Sequence, residues 1–112
     1  VWRSGGKTMP QGAPYKVEGI GQDKVPGTLD LALVDDYITV SDRDAFTMAR
    51  RLTREEGLFV GGSAGLIAHA ALSVARRVND PDACVVTVLC DTGERYLSKL
   101  FNDEWMRENQ LL

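Results

Sequence analysis

The residues best placed to do chemistry are Gly61-Gly62-Ser63-Ala64-Gly65, a glycine-rich bend carrying one hydroxyl. It joins the extended Leu58-Phe59-Val60 to the apolar, alanine-rich run from Leu66 to Val78. Glycines let a ligand approach the backbone closely, and the start of the following helix supplies free N–H groups and the positive end of its dipole. A bend of this kind holds a polar ligand atom, or it simply turns the chain while Ser63 caps the helix. A second polar turn, Cys90-Asp91-Thr92-Gly93, ends the other strongly apolar stretch of the chain.

Four familiar site types fail on spacing or on missing residues. The pentapeptide matches the G-x-S-x-G nucleophile elbow, but a hydrolase needs a histidine base. The one histidine, His69, follows Ser63 on the same predicted helix, about 240° around it and roughly 9 Å along its axis, beyond reach of the hydroxyl. Gly61, Gly62 and Gly65 do not give the G-x-G-x-x-G dinucleotide fingerprint, and no Gly-Lys-Ser/Thr phosphate loop is present. One histidine and no CxxC pair exclude a zinc cluster. What remains is a neutral hydroxyl at a helix start, aimed at a polar ligand atom in a glycine-lined pocket.

The elements that must position this hydroxyl follow from periodicity. Tyr37-Ile38-Thr39-Val40 reads as a strand. Ser41 is the predicted N-cap of an amphipathic helix, with Asp44 in capping-box position, Ala45, Met48, Ala49 and Leu52 on the apolar face, and Gly57 at the end. Arg50, Arg51 and Arg54 are expected on its solvated side. A second helix from about Ser63 to Val78 is apolar around most of its circumference and is expected to be largely buried. Ala83 to Leu89 reads as a strand buried on both faces of a parallel sheet. Cys84 and Cys90, six apart on that strand at about 3.3 Å per residue, are too distant for a disulfide and should be free thiols. Short helical turns follow Gly93, the last opened by Asn102-Asp103-Glu104.

The order of strands and helices predicts an α/β fold, in which ligands collect beyond the carboxyl ends of strands, so the Gly61 bend and the Asp91 turn are expected to face one crevice. With 112 residues the chain is at most one domain. Residues 1–14 read as loop, and the first residue is Val1, as expected of an incomplete domain. A net charge of −3 gives no footprint for nucleic acid. No apolar run reaches membrane-span length and no leader is recognised, so a cytoplasmic protein is expected.

Set in order, Val17-Glu18-Gly19-Ile20-Gly21 with Asp23 and Pro26, Glu56-Gly57-Leu58, the Gly61–Gly65 bend, and Asp91 with Gly93-Glu94-Arg95-Tyr96-Leu97-Ser98 resemble the carboxyl-terminal part of the cystathionine β-synthase and cysteine synthase family. These are fold-type II pyridoxal-phosphate enzymes. The resemblance runs from about Tyr15 to Met106, and Asn102-Asp103-Glu104-Trp105-Met106 with Gly62-Ser63-Ala64-Gly65 is closer to the cystathionine β-synthase side. It implies the large α/β domain, a parallel-sheet three-layer sandwich, of which residues 1–112 would be the carboxyl-terminal portion.

For the site, the resemblance implies that Ser63 hydrogen-bonds the pyridine nitrogen of pyridoxal 5′-phosphate, with Gly62 and Asp91 beside the cofactor. Gly19, Gly21 and Gln22 would line the amino-acid substrate side. Gln22 stands where some cystathionine synthases carry tyrosine, and Cys90 where proline is common, so the substrate is not fixed by these residues. The implied reaction is β-replacement, cystathionine from serine and homocysteine, or cysteine from O-acetylserine and sulfide. A homodimer is also implied. A non-catalytic module keeping the fold is the alternative from another class. Lys7, Lys16, Lys24 and Lys99 do not sit in the family's Schiff-base lysine motif, so the chain alone is expected to be inactive.

Overall fold

A computed structural model describes residues 14–21 and 25–112. Its frame is two packed helices, α1 (Asp42–Glu56) and α2 (Gly62–Val78), with a short α3 (Asp103–Glu108) and single 3-10 turns at Leu31–Leu33 and Gly93–Tyr96.

Helix α1 begins where the sequence predicts. The Ser41 hydroxyl oxygen accepts from the Asp44 N–H at 3.1 Å and donates to the Asp44 carboxylate at 2.7 Å, a reciprocal cap. At the other end Gly57 takes φ +71°, a left-handed conformation that glycine adopts without strain, and its N–H reaches the Leu52 carbonyl. Ala45, Phe46, Met48 and Ala49 are buried on the inner face. Gly65 of α2 crosses there, and a Cβ added to it would stand 2.1 Å from the Ala45 carbonyl oxygen. The helices therefore meet backbone to backbone. Val60, Ala64, Leu100, Met106 and Leu111 complete the core with Val17.

Arg50 departs from the expected solvated face. Only 18% of its side chain is exposed, and it donates to the Leu100 carbonyl at 3.2 Å and pairs with Asp103, tying α1 to the start of α3. Arg51 behaves as expected, forked onto Glu55 one turn along. Asn102 caps α3, its side-chain oxygen accepting from the Glu104 and Trp105 N–H groups.

The predicted strands are not formed. Neither Tyr37–Val40 nor Ala83–Leu89 carries a ladder, and among the described residues the bridge pairing of backbone is Val60 with Thr92, antiparallel. The cause is the nature of a strand, which exists only by hydrogen-bonding to neighbours, and no neighbouring strand lies within the described residues. The expected burial fails with it: Val86 is 84% and Val88 71% exposed. Helix α2 is likewise less buried than predicted, with Ile67, Leu72 and Val78 exposed. A groove of about 700 Å³ runs between α1, α2 and residues 85–89, lined by Leu52, Leu58, Ala71, Leu72, Val85 and Leu89. Leaving Val86 and Val88 largely in water forgoes on the order of 1.5–3 kcal/mol for each side chain. Cys84 and Cys90 are free thiols, as expected. No described helix is long and apolar enough to cross a membrane.

Candidate functional site

Helix α2 starts one residue earlier than the sequence suggested, and this changes what Ser63 does. Gly61 is the N-cap, without any side-chain cap, and Ser63 is the second helical residue. Its hydroxyl is therefore not used as a cap. It is half-buried and has no hydrogen-bond partner among the described residues. Gly65 N–H bonds the Gly61 carbonyl at 3.1 Å, and the N–H groups of Gly62, Ser63 and Ala64 have no acceptor among the described residues. A strained nucleophile elbow is absent as well, since Ser63 is not among the residues of positive φ.

The bend is seated from two sides. Beneath Gly62 lies Phe46, whose Cε1 would be 2.6 Å from an added Cβ, and Phe46 in turn packs against Trp105 with ring centroids 6.0 Å apart. Against Gly61 lies Asp91, with Oδ1 2.3 Å and Oδ2 2.7 Å from the position of a Cβ. No side chain fits at either position without displacing these groups. The Val60–Thr92 bridge and a 3.1 Å bond from the Gly93 N–H to the Phe59 carbonyl hold the two turns together. The Gly61 bend and the Asp91 turn therefore lie side by side, although neither lines the groove between α1 and α2.

Asp91 is polarised between two surroundings. Its Oδ2 accepts from the Tyr96 hydroxyl at 2.6 Å, while Oδ1 is buried with no partner. The hydrogen bond to Asp91, then burial, then the carboxylate's charge push the Tyr96 phenol up from 10.0 to about 12. The folded protein thus holds this proton more tightly than the unfolded chain. The stabilisation is fully present below pH 10 and is lost as the pH rises from 10 towards about 12. Ultraviolet titration of phenolate absorbance is expected to show Tyr96 ionising above the ordinary tyrosine value, and Asp91→Asn is expected to lower its midpoint. Ionisation of Tyr96 at the ordinary tyrosine value would contradict the pairing.

Gly19 and Gly21 sit in a tight loop with φ of +82° and +74°. The Tyr15 hydroxyl lies 2.9 Å from both the Ile20 and Gly21 carbonyls and would be 2.5 Å from a Cβ at Gly21. The loop is anchored at its amino-terminal side. The Asp42 carboxylate, in the first turn of α1, accepts from the Lys16 and Val17 N–H groups at 2.6 and 3.1 Å, and Glu18 pairs with Lys99 just beyond Tyr96. The glycine loop, the Asp91–Lys99 turn and the start of α2 are thereby linked. Gln22 lies outside the described residues, as do Lys7 and Lys24.

Tyr96, Asp42 and Arg50 were not singled out from the sequence as site supports. Their partners lie 5, 26 and 53 positions away, and no helical or strand period marks such pairs. Among the described residues no group of His, Cys, Asp and Glu could hold a metal ion.

The Ser63 hydroxyl thus lies in the first turn of α2 without a partner among the described residues, beside a bend whose glycines are packed against Phe46 and Asp91. The family profile described as pyridoxal-phosphate dependent enzyme matches residues 1–91, and the chain belongs to that family. Among curated proteins, it is 44% identical over 95 residues to the cystathionine beta-synthase of Dictyostelium discoideum, covering 85% of this chain and 19% of that protein. Over 92 residues it is 44% identical to the Mus musculus cystathionine beta-synthase, covering 82% of this chain and 16% of the relative. The Oryctolagus cuniculus cystathionine beta-synthase is 41% identical over 98 residues, covering 88% and 18%. The chain thus spans less than a fifth of the length of these relatives.

Proposed function

We propose that these residues are the carboxyl-terminal part of the catalytic domain of an enzyme that makes cystathionine from serine and homocysteine by β-replacement. The observation that carries this reading is the unpartnered Ser63 hydroxyl in the first turn of α2, at a bend where Asp91 and Phe46 leave space only for glycine. Similarity to proteins named cystathionine beta-synthase supports it.

When bound, pyridoxal 5′-phosphate supplies the electron sink for loss of the β-substituent. Ser63 would donate a hydrogen bond from its hydroxyl to the pyridine nitrogen, and being neutral it would not hold a proton there as a carboxylate would. Gly62, seated on Phe46, would hold the backbone of the bend beside the ring, and Asp91 stands behind the bend. Gly19 and Gly21, in the loop that Tyr15 pins, leave room for the amino-acid substrate, with Gln22 next in the chain. The lysine that anchors the cofactor and the groups that hold its phosphate belong to other segments of the polypeptide, so residues 1–112 alone are inactive.

In the complete domain the exposed run from Ala83 to Leu89 would become a strand of the parallel-sheet, three-layer α/β sandwich, with its neighbours coming from those same segments. Their arrival would cover the groove between α1 and α2. The complete enzyme is a cytoplasmic homodimer in this reading.

Assaying the full-length protein with each substrate pair tests the assignment. Cystathionine is expected from serine and homocysteine, at a rate well above cysteine formation from O-acetylserine and sulfide. The opposite ranking would make it a cysteine synthase, and no turnover with either pair would leave a non-catalytic module.

A further inference from the structure

Tyr96 has no part in the reading above, although the geometry of its pair with Asp91 is costly. A buried carboxylate oxygen without a donor is unfavourable, so its position must be imposed by its surroundings. Asp91 Oδ1 is such an atom, while Oδ2 is held by the Tyr96 hydroxyl at 2.6 Å. The surroundings in question are the N-cap of α2. Both carboxylate oxygens and Tyr96 Cε2 lie within 2.7 Å of where a Cβ on Gly61 would stand. The acid, the phenol and the helix start therefore interlock.

From this interlock we infer that Tyr96 is a positioning residue, fixing the place of the Ser63 hydroxyl through Asp91 and Gly61. Tyr96 holds the carboxylate, the carboxylate backs onto the N-cap, and Ser63 follows the N-cap by two residues in a turn with no side-chain cap of its own. Without the phenol hydroxyl, Asp91 has a second oxygen lacking a donor and is free to rotate away from Gly61. The first turn of α2 then loses the wall that sets its position. The inference rests on Ser63 facing the ring nitrogen of pyridoxal 5′-phosphate.

The test is a double-mutant cycle in the full-length protein. Apo-protein is titrated with pyridoxal 5′-phosphate, following its visible absorbance, for the wild type, Tyr96→Phe, Ser63→Ala and the double variant, with thermal unfolding measured on each. Tyr96→Phe is expected to weaken cofactor binding about tenfold, comparably to Ser63→Ala. The double variant is expected to bind within about twofold of Ser63→Ala, because Tyr96 acts only through Ser63. Losses that simply multiply, or a Tyr96→Phe variant that binds like wild type while Ser63→Ala is impaired, would overturn the inference and leave the Ser63 assignment standing. If Ser63→Ala itself binds like wild type, both fall. Should Tyr96→Phe fail to fold, Gly61→Ala presses on the same carboxylate from the other side. It is expected to weaken binding in the wild-type background but not in Ser63→Ala, and equal losses in the two backgrounds would again overturn the coupling.

Discussion

Gly65→Ala is expected to destabilise the protein by about 3 kcal/mol, the upper range for overpacking a well-filled contact. On an isolated helix the same change would help by roughly 1 kcal/mol, because alanine is the better helix former. Packing reverses the sign. The new methyl would stand 2.1 Å from the Ala45 carbonyl oxygen and 2.7 Å from the Ala49 backbone nitrogen, and these are backbone atoms of α1 that cannot swing aside. Separating the helices would also move the α2 start off Phe46. Urea unfolding of the full-length protein checks this, with Gly57→Ala as comparator. At Gly57 nothing lies within 4 Å of an added Cβ, so the cost there is the left-handed backbone alone, about 1 kcal/mol. Equal midpoints for Gly65→Ala and wild type would show that α1 and α2 do not cross as described.

Ser63→Asp is expected to have the largest effect on turnover while sparing the fold. A carboxylate in the first turn of α2 suits the helix dipole and finds three N–H groups without acceptors, so stability should not fall. Its charge, however, would favour a protonated pyridine nitrogen by about 1–3 pKa units. A ring held protonated spreads developing charge further, which opposes prompt expulsion of the β-substituent. Cystathionine formation is expected to drop on the order of a hundredfold, the middle of that span, with cofactor still bound. Turnover unchanged in Ser63→Asp would remove Ser63 from the ring nitrogen.

What the sequence revealed and what it hid divide along a physical line. Features decided within a few residues were legible: Ser41 with Asp44 at the start of α1, Gly57 at its end, Asn102 at the start of α3. Each is a local hydrogen bond or backbone conformation. The strands at Tyr37–Val40 and Ala83–Leu89 were read from apolar content, which reports what a segment would bury and not whether a partner is there to bury it. In these residues the partner is absent, and Val86 and Val88 face solvent. The beginning of α2, read at about Ser63, lies at Gly62, and that residue decides between the two roles the sequence left open: a serine that caps has spent its oxygen, whereas Ser63 inside the first turn does not cap.

Arg50 shows the same limit from the other side. Its position on the polar flank of α1 suggested water, yet Asp103 and the Leu100 carbonyl, about fifty residues on, claim it. The juxtaposition of Gly61 with Asp91 was accessible because strand ends gather in α/β folds. The Tyr96 hydrogen bond that fixes Asp91 was not, since five residues is no period of helix or strand.

The ring-nitrogen role of Ser63 is tested most directly by the ¹⁵N chemical shift of that nitrogen, measured on full-length protein loaded with labelled pyridoxal 5′-phosphate. The expected result is a shift in the unprotonated, hydrogen-bonded range for wild type, moving to the pyridinium range in Ser63→Asp. The same shift in both proteins would contradict the placement of Ser63 at the cofactor's ring.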